Sequence, residues 1–599
     1  MRHRAVQGTL ALVLLVAVVG AQPTDTAVAA PADEFVIQED DAQQMRTLDA
    51  TWHAGAGQFL VVWSEHPDHS LNGSEVHSGD DKIRGRLVGL ADPAVAVPAM
   101  GAAFDISTGG ASKDFPQVAH VLDTLIPAQQ VSLVVWTDHR DGGADIYGQI
   151  VDSSGTARQG SNFKISGADP DNFPAVAYGQ RDSGDGVFLV VWERELASND
   201  SEVYGQLIQG ADASGVNAPG TLIGSNFQIS ASESWFASAP AVAFDPANDR
   251  FLVTWTDDSF FPGDSSSDIY GRIVTATGGT VGGNKLISSQ TGAEGSPQVL
   301  FHPEQNEYLV VWTRGLTSSG ATSVYGQRVD TSGNTTGGAI NIAATAAQEG
   351  AGEPAIDRET GSYIVPIISG PNVVTRIEVE MVKVSATGTV VSREDVASDT
   401  AANKGPAVAV YGATPLAPGG AATISEVLIV WRDARAGSDP LLDQNVYGNM
   451  VEVKTDTDGD GLLDSWETNG FVDMNDNGVL DAGDFDFTTL PAANRPNVNH
   501  KDLYIEIDWM EVDADGDGVF CDSLGNGCDP NQPGDHSHGP LPVAGSLPTG
   551  TSFDPVITSF ANAPVNNPDG VTGINLYLDV GQMGGGGPTP DVAGLDFFA

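Results

Sequence analysis

One phrase recurs along the chain, and it restricts the fold more than any other feature. An apolar run ending in tryptophan, typified by FLVVW, is followed by a polar loop. Then come Ile/Val-Tyr-Gly-Gln, Val-Asp-x-Ser-Gly and a short segment such as NFKIS. The tryptophans are Trp63, Trp136, Trp192, Trp255, Trp312 and Trp431, separated by 73, 56, 63, 57 and 119 residues. The last gap is about double the others, so a degenerate copy lies inside it. GSYIVPIIS, residues 361–369, fills that place without its tryptophan. Tyr147, Tyr204, Tyr270, Tyr325 and Tyr447 form a second anchor, each followed by glycine.

Seven copies occupy residues 34–453, about 60 residues apiece. Each supplies four short strands: P-x-V-A, FLVVW, DIYGQIVD and NFKIS. Short, evenly spaced strands with glycine-rich turns predict sheets arrayed radially, a seven-bladed β-propeller spanning 31–453. An array of β-sandwiches is the alternative use of the same pattern. The seventh copy ends on NVYGNMVEV and lacks a fourth strand, whereas EFVIQE at 34–39 precedes the first copy and matches NFKIS. The N-terminal segment is therefore expected to complete the last blade and cover its edge. A tryptophan at the same strand end in every copy is expected to pack between blades rather than to build an aromatic ligand cage. Glu65, Asp138, Asp257 and Asp433 each lie two residues after a tryptophan and read as turn caps rather than a ring of metal ligands. A propeller by itself assigns no function.

Charge narrows the partners. With 79 acidic and 27 basic side chains the formal charge is −52 and the pI about 4.1. Such a surface repels nucleic-acid phosphates and anionic lipid, and attracts divalent cations. The acids are also concentrated: residues 454–535 hold 20 of them against Lys454, Arg495 and Lys501. DTDGDGLLDSWE, residues 456–467, fits a twelve-position calcium loop. Asp456, Asp458 and Asp460 stand at positions 1, 3 and 5, and Gly461 makes the turn. The Leu462 carbonyl is at 7, Asp464 at 9 and a bidentate Glu467 at 12. Calcium takes six to eight hard oxygens at about 2.4 Å, which this spacing wraps around one centre. DMNDNGVLDAGD, residues 473–484, repeats the pattern with Asp473, Asn475, Asn477, the Val479 carbonyl, Asp481 and Asp484. Its neutral ligands and closing Asp predict weaker binding. Asp513, Asp515 and Asp517 start a third loop that then departs from the pattern, with Cys521 at position 9 and Leu524 at position 12. An acidic solvated turn is the plain alternative for each. The first loop follows a propeller strand, not a helix, and only TNGFV separates the first two loops. Calcium is thus the expected cofactor, bracing an EF-hand-like linker at 454–535.

Residues 1–30 read as a signal peptide and leader. Arg2 and Arg4 precede the apolar run 10–19, which is too short to span a bilayer and is followed by small-residue cleavage sites. Secretion is therefore expected, in a bacterial export setting. Cys521 and Cys528 then read as a small disulfide loop, with two free thiols as the alternative. The paired histidines in EHPDH (His66, His69) and DHSHGP (His536, His538) read as solvated polar loops rather than metal ligands.

KDLYIEIDWM at 501–510 alternates as a strand does, 552–565 reads as a short helix behind Asp554 and Pro555, and GINLYLDVG at 573–581 is a second strand. That order suggests the start of an α/β domain. HKDLYIEIDWM followed by FANAPVNNPDGVTGINLYLDVG resembles a segment of secreted bacterial proteins that place calcium loops before a zinc-metallopeptidase-like (zincin) domain. The resemblance covers about 80 residues. It implies a zinc helix with His-Glu-x-x-His further downstream, a motif absent from these 599 residues, so no catalytic residue carries over. Residues 536–599 are expected to be the incomplete start of such a domain. The sequence as a whole is mainly β: a propeller, a calcium-loop linker and a small α/β C-terminal segment. Two functions follow. One is a secreted calcium-binding protein whose propeller face recognises or adheres to a protein or polysaccharide, with no nucleic acid and no membrane span. The other is a secreted zinc metallopeptidase whose catalytic part is missing from this chain.

Overall fold

The computed structural model describes residues 34–456 apart from several loops, including 67–80, 399–407, 414–422 and 434–444. Beyond these it describes residue 462 and the segments 464–472, 485–489, 495–496, 502–506, 511–512, 536–537 and 575–579. The chain forms seven antiparallel sheets in succession. The first holds Gln44–His53, Gln58–His66, Lys82–Val88 and Phe104–Asp105. The second holds Lys113–His120, Ser132–Asp138, Asp145–Val151 and Arg158–Lys164. The next three repeat this meander, opening with Asp171–Gln180, Ala237–Asp245 and Glu294–His302. In the sixth the inner strand is split into Gly350–Ala351 and Ala355–Ile356, both paired with Tyr363–Ser369. Neighbouring inner strands pack side by side around the ring. The architecture is a seven-bladed propeller, as the repeat predicts.

The seventh blade carries the closure. Val408–Ala413, Thr423–Asp433 and Asn445–Asp456 supply three strands, and Phe35–Gln38 supplies the fourth. It pairs antiparallel with Phe35 opposite Gly448 and Val36 opposite Tyr447. The predicted closing strand is therefore present, and it covers the edge of Asn445–Asp456.

The core lies between blades rather than within one. Among the described residues there are seven buried apolar clusters, each drawn from two adjacent blades. All six anchor tryptophans are fully buried, each among side chains of the preceding blade. Trp192, for example, sits with Ile146, Ile150 and Ile165 of the second blade. In the sixth blade Ile367 stands opposite Glu380, where other blades place tryptophan opposite tyrosine.

The glycine after each tyrosine has a steric cause. A Cβ at Gly148, Gly205, Gly271 or Gly326 would come within 2.7–2.9 Å of the Cδ1 of an isoleucine on the blade's fourth strand. Those isoleucines are Ile165, Ile229, Ile287 and Ile342. Gly448 makes the same approach to Ile37, at 2.9 Å. The N-terminal strand thus fills the socket that Ile165, Ile229, Ile287 and Ile342 fill in blades two to five. The carbonyl beside that socket also ties blades together. Ile106 O accepts from Asn162 at 3.2 Å, Ile165 O from Asn226 at 3.0 Å, Ile229 O from Arg272 at 2.8 Å and Val396 O from Asn449 at 3.1 Å. Ile37 O accepts from Arg86 of the first blade, completing the pattern at the closure.

Past the propeller, Asn445–Asp456 stays paired up to Asp456 opposite Thr423. A short helix, Asp464–Asn469, packs beside that strand. Gly470 ends it with φ 81° and donates its N–H to Trp466 O at 2.7 Å, a left-handed C-terminal cap. Phe471–Val472 pairs antiparallel with Phe485–Asp486. Asp502–Glu506 pairs in parallel with Asn575–Asp579, placing both predicted C-terminal strands in one sheet. The predicted helix at 552–565, residues 1–33 and the Cys521–Cys528 loop lie outside the described residues. Among the described residues no helix is long and apolar enough to cross a membrane.

Candidate functional site

The calcium-loop residues divide by what the structure describes. Asp456 is the last residue of a paired strand, and Asp464 opens the helix that carries Glu467. Glu467 is buried at 7% exposure. The first loop is thus entered from a strand and left by a helix that starts at position 9, with the closing acid in its first turn. Leu462, at position 7, is half-buried. Asp458 and Asp460 lie outside the described residues. So do Asp473, Asn475, Asn477, Val479, Asp481 and Asp484. Their loop is bracketed, however: Val472 pairs with Phe485, the residues immediately before position 1 and after position 12. Asp513, Asp515, Asp517, Cys521 and Cys528 also lie outside. Among the described residues no three His, Cys, Asp or Glu side chains converge as a metal site.

The acids after the tryptophans serve the indoles. Trp136 Nε1 donates to Asp138 Oδ2 at 2.8 Å, while the other Asp138 oxygen accepts the Arg140 N–H at 3.0 Å. Trp255 and Trp431 donate to Asp257 and Asp433, each at 3.4 Å. Where that position is arginine, the acid comes from the inner strand instead: Trp192 to Asp171 at 2.8 Å beside Arg194, and Trp312 to Glu294 at 3.0 Å beside Arg314. In the first blade Arg84 replaces the tyrosine and takes Glu65 at 3.0 Å. Turn capping is therefore only part of the role of these acids.

His66 differs from its expected place in a solvated loop. It ends the strand Gln58–His66 and is buried, with Nδ1 3.1 Å from Asp81 and Nε2 3.0 Å from Asp114 of the next blade. Burial alone would lower its pKa, but the two carboxylates outweigh it and hold the imidazole protonated above its usual range. His53 is the opposite case. Its Nδ1 accepts the Ala56 N–H at 3.2 Å and its Nε2 donates to Asp152 O of the next blade at 3.0 Å. Burial keeps it neutral.

Sequence reasoning missed two features of the inner strands. The first is a carboxyl pair. Asp49 of the first blade and Glu353 of the sixth are hydrogen-bonded to each other. Asp49 also accepts the Ala50 and Val118 N–H groups, each at 2.7 Å. Burial raises both pKa values, Glu353 to about 7, and their mutual repulsion raises Asp49 further. The second is a row of left-handed residues. Phe115, Phe173, Ala239 and Ser296 have φ of 56°, 51°, 49° and 52°, each just before a proline and inside a β-bulge. Several donate their N–H to a neighbouring blade: Phe115 to Thr47 Oγ1 at 3.0 Å, Ser296 to Thr256 Oγ1 at 3.1 Å, and Ala239 to the Glu193 carboxylate. The recurrent x-Pro-x-Val was the available signal for this row.

No protein-family model matches this chain, and no curated protein does. Solved structures give distant likenesses. A protein of unknown function from Dyadobacter fermentans is 10% identical with TM-score 0.39, over 70% of this chain and 97% of that one. The periplasmic gluconolactonase of Pseudomonas aeruginosa is 13% identical with TM-score 0.35, over 63% and 92%. The Dos1 propeller is 11% identical with TM-score 0.34, over 71% and 89%. Likenesses this distant assign neither a family nor an activity.

Proposed function

We propose that this is an exported calcium-binding protein whose propeller recognises a ligand on one face and whose calcium loops brace the segment behind it. The observation that supports this best is the setting of residues 456–467. A propeller strand delivers Asp456 to position 1, and a capped helix holds Glu467, buried, at position 12. The donor set is carboxylates and one backbone carbonyl, the hard oxygens calcium takes. Bound calcium would neutralise these acids and fix the loop between strand and helix. The two-residue pairing around 473–484 gives the second loop a closed base. Export rests on the leader at 1–30, and a disulfide between Cys521 and Cys528 would suit that compartment.

Isothermal titration of the full chain with calcium is expected to show at least one site, in the weak range of about 10⁻⁴–10⁻³ M typical of extracellular modules. Asp456→Ala with Glu467→Ala should remove the strongest site. No heat from the parent protein would contradict the reading.

A second reading, the opening of a zinc-peptidase-like domain, draws support from the parallel pairing of Asp502–Glu506 with Asn575–Asp579. Parallel strands need a crossover between them, as an α/β domain provides. Zinc-dependent proteolysis by the 599-residue chain is not expected.

A further inference from the structure

The left-handed row along the inner strands contains an anomaly. Ala239 and Ser296 are small residues at this strained position, whereas blades two and three place Phe115 and Phe173 there. A bulky side chain at positive φ is unfavourable. Phe173 is also 41% exposed, so its ring gains little from burial. The backbone arrangement does not require an aromatic, because two other blades build it without one. The rings of Phe115 and Phe173 nevertheless lie together, with centroids 4.5 Å apart and planes inclined at 55°. They form an aromatic platform across two neighbouring blades.

Three acids near the two rings are paired within the protein. Asp114, next to Phe115, lies 3.0 Å from His66. Asp171, two residues before Phe173, lies 2.7 Å from Arg194, and Asp138 lies 2.5 Å from Arg140. Asn172, adjacent to Phe173, stands opposite Glu193 in the ladder. The Glu193 carboxyl accepts from Ala239 N–H and Ser201. The exposed Phe173 ring thus stands beside acids that are paired within the protein, although the chain as a whole carries −52.

We propose that Phe115 and Phe173, with Asn172 beside Phe173, form a binding platform for an uncharged polysaccharide. This deepens the recognition role proposed above and rests on it. A pyranose ring offers a flat C–H face to an aromatic side chain and hydroxyls to an amide at its edge. The overall charge repels polyanionic glycans, and Asp114, Asp138 and Asp171 are already engaged by His66, Arg140 and Arg194 rather than open to a basic peptide.

The test is affinity electrophoresis of the full chain in gels containing dextran, laminarin, soluble starch or galactomannan, with and without calcium. At least one polymer should retard the protein. Phe173→Gly removes the ring while relieving the positive φ, so it should keep or raise the melting temperature and weaken retardation about tenfold. Leu222→Ala, on an exposed outer strand, should bind as the parent does. No retardation by any of the four polymers would overturn the proposal, as would parental binding by Phe173→Gly. Binding of poly-lysine in place of every glycan would overturn it in favour of a cationic partner. None of these results bears on the calcium titration, so the two readings fail separately.

Discussion

At the residue scale, the Asp49–Glu353 pair is the feature with the clearest solution behaviour. The residues belong to blades one and six, and the Glu353 carbonyl accepts the Ala409 N–H of blade seven at 2.9 Å. Their contact therefore spans the blade that closes the ring. Burial raises both; Glu353 raises Asp49 further, and the Val118 and Ala50 N–H donors lower it. A carboxyl whose folded pKa is raised binds its proton more tightly folded than unfolded. Its contribution is complete below the unfolded pKa and is lost as pH rises toward about 7 for Glu353. Glu353→Gln keeps a donor for Asp49 and removes one charge. It should stabilise the protein at pH 8 by on the order of 2 kcal/mol and have little effect at pH 4.5. Thermal melts of parent and variant across that range check this, and a parallel pH dependence of the two would contradict it.

No local pattern could have revealed this pair, since its members are 304 residues apart and neither belongs to the repeated phrase. The tryptophans were legible for the opposite reason. Each meets the same environment in every blade, so each copy repeats it. The acids behind them were read less well. Whether position Trp+2 is acidic depends on whether the inner strand already supplies an acid, as Asp171 and Glu294 do, and that is a relation between strands. His66 was misplaced because its two carboxylate partners come from a different strand pair and the next blade.

At the scale of the element, the N-terminal strand is held by shape as well as by backbone pairing. Phe35 and Ile37 are buried, Ile37 fills the space over Gly448, and Ile37 O is bound by Arg86. Ile37→Ala removes the kind of side chain that blades two to five keep in this socket. It should cost about 2–5 kcal/mol, read as a lower melting temperature or denaturation midpoint. Val36→Ala should cost much less, because Val36 is exposed at 36%. Equal effects from the two would contradict the socket. The strand was legible because EFVIQE shares the apolar spacing of NFKIS. The split inner strand of blade six was not. Glu353 and Pro354 interrupt it between Ala351 and Ala355, and its P-x-V-A phrase is reduced to Pro-Ala-Ile.

At the scale of the whole molecule, one strand joins the two halves of the account. Asn445–Asp456 pairs with the N-terminal strand near its start and ends at Asp456, the first position of the proposed calcium loop. The seven-bladed count followed from the repeat because interblade packing demands the same side chains in each copy. The Phe115–Phe173 contact did not, because it arises where two blades depart from the repeat.

The measurement that reaches the centre of this account is amide hydrogen exchange of the full chain in calcium. Phe35–Gln38 is expected to exchange as slowly as Asn445–Val451, its partner in blade seven. Free exchange at 35–38 beside a protected 445–451 would mean that the ring is not closed by its N-terminal strand.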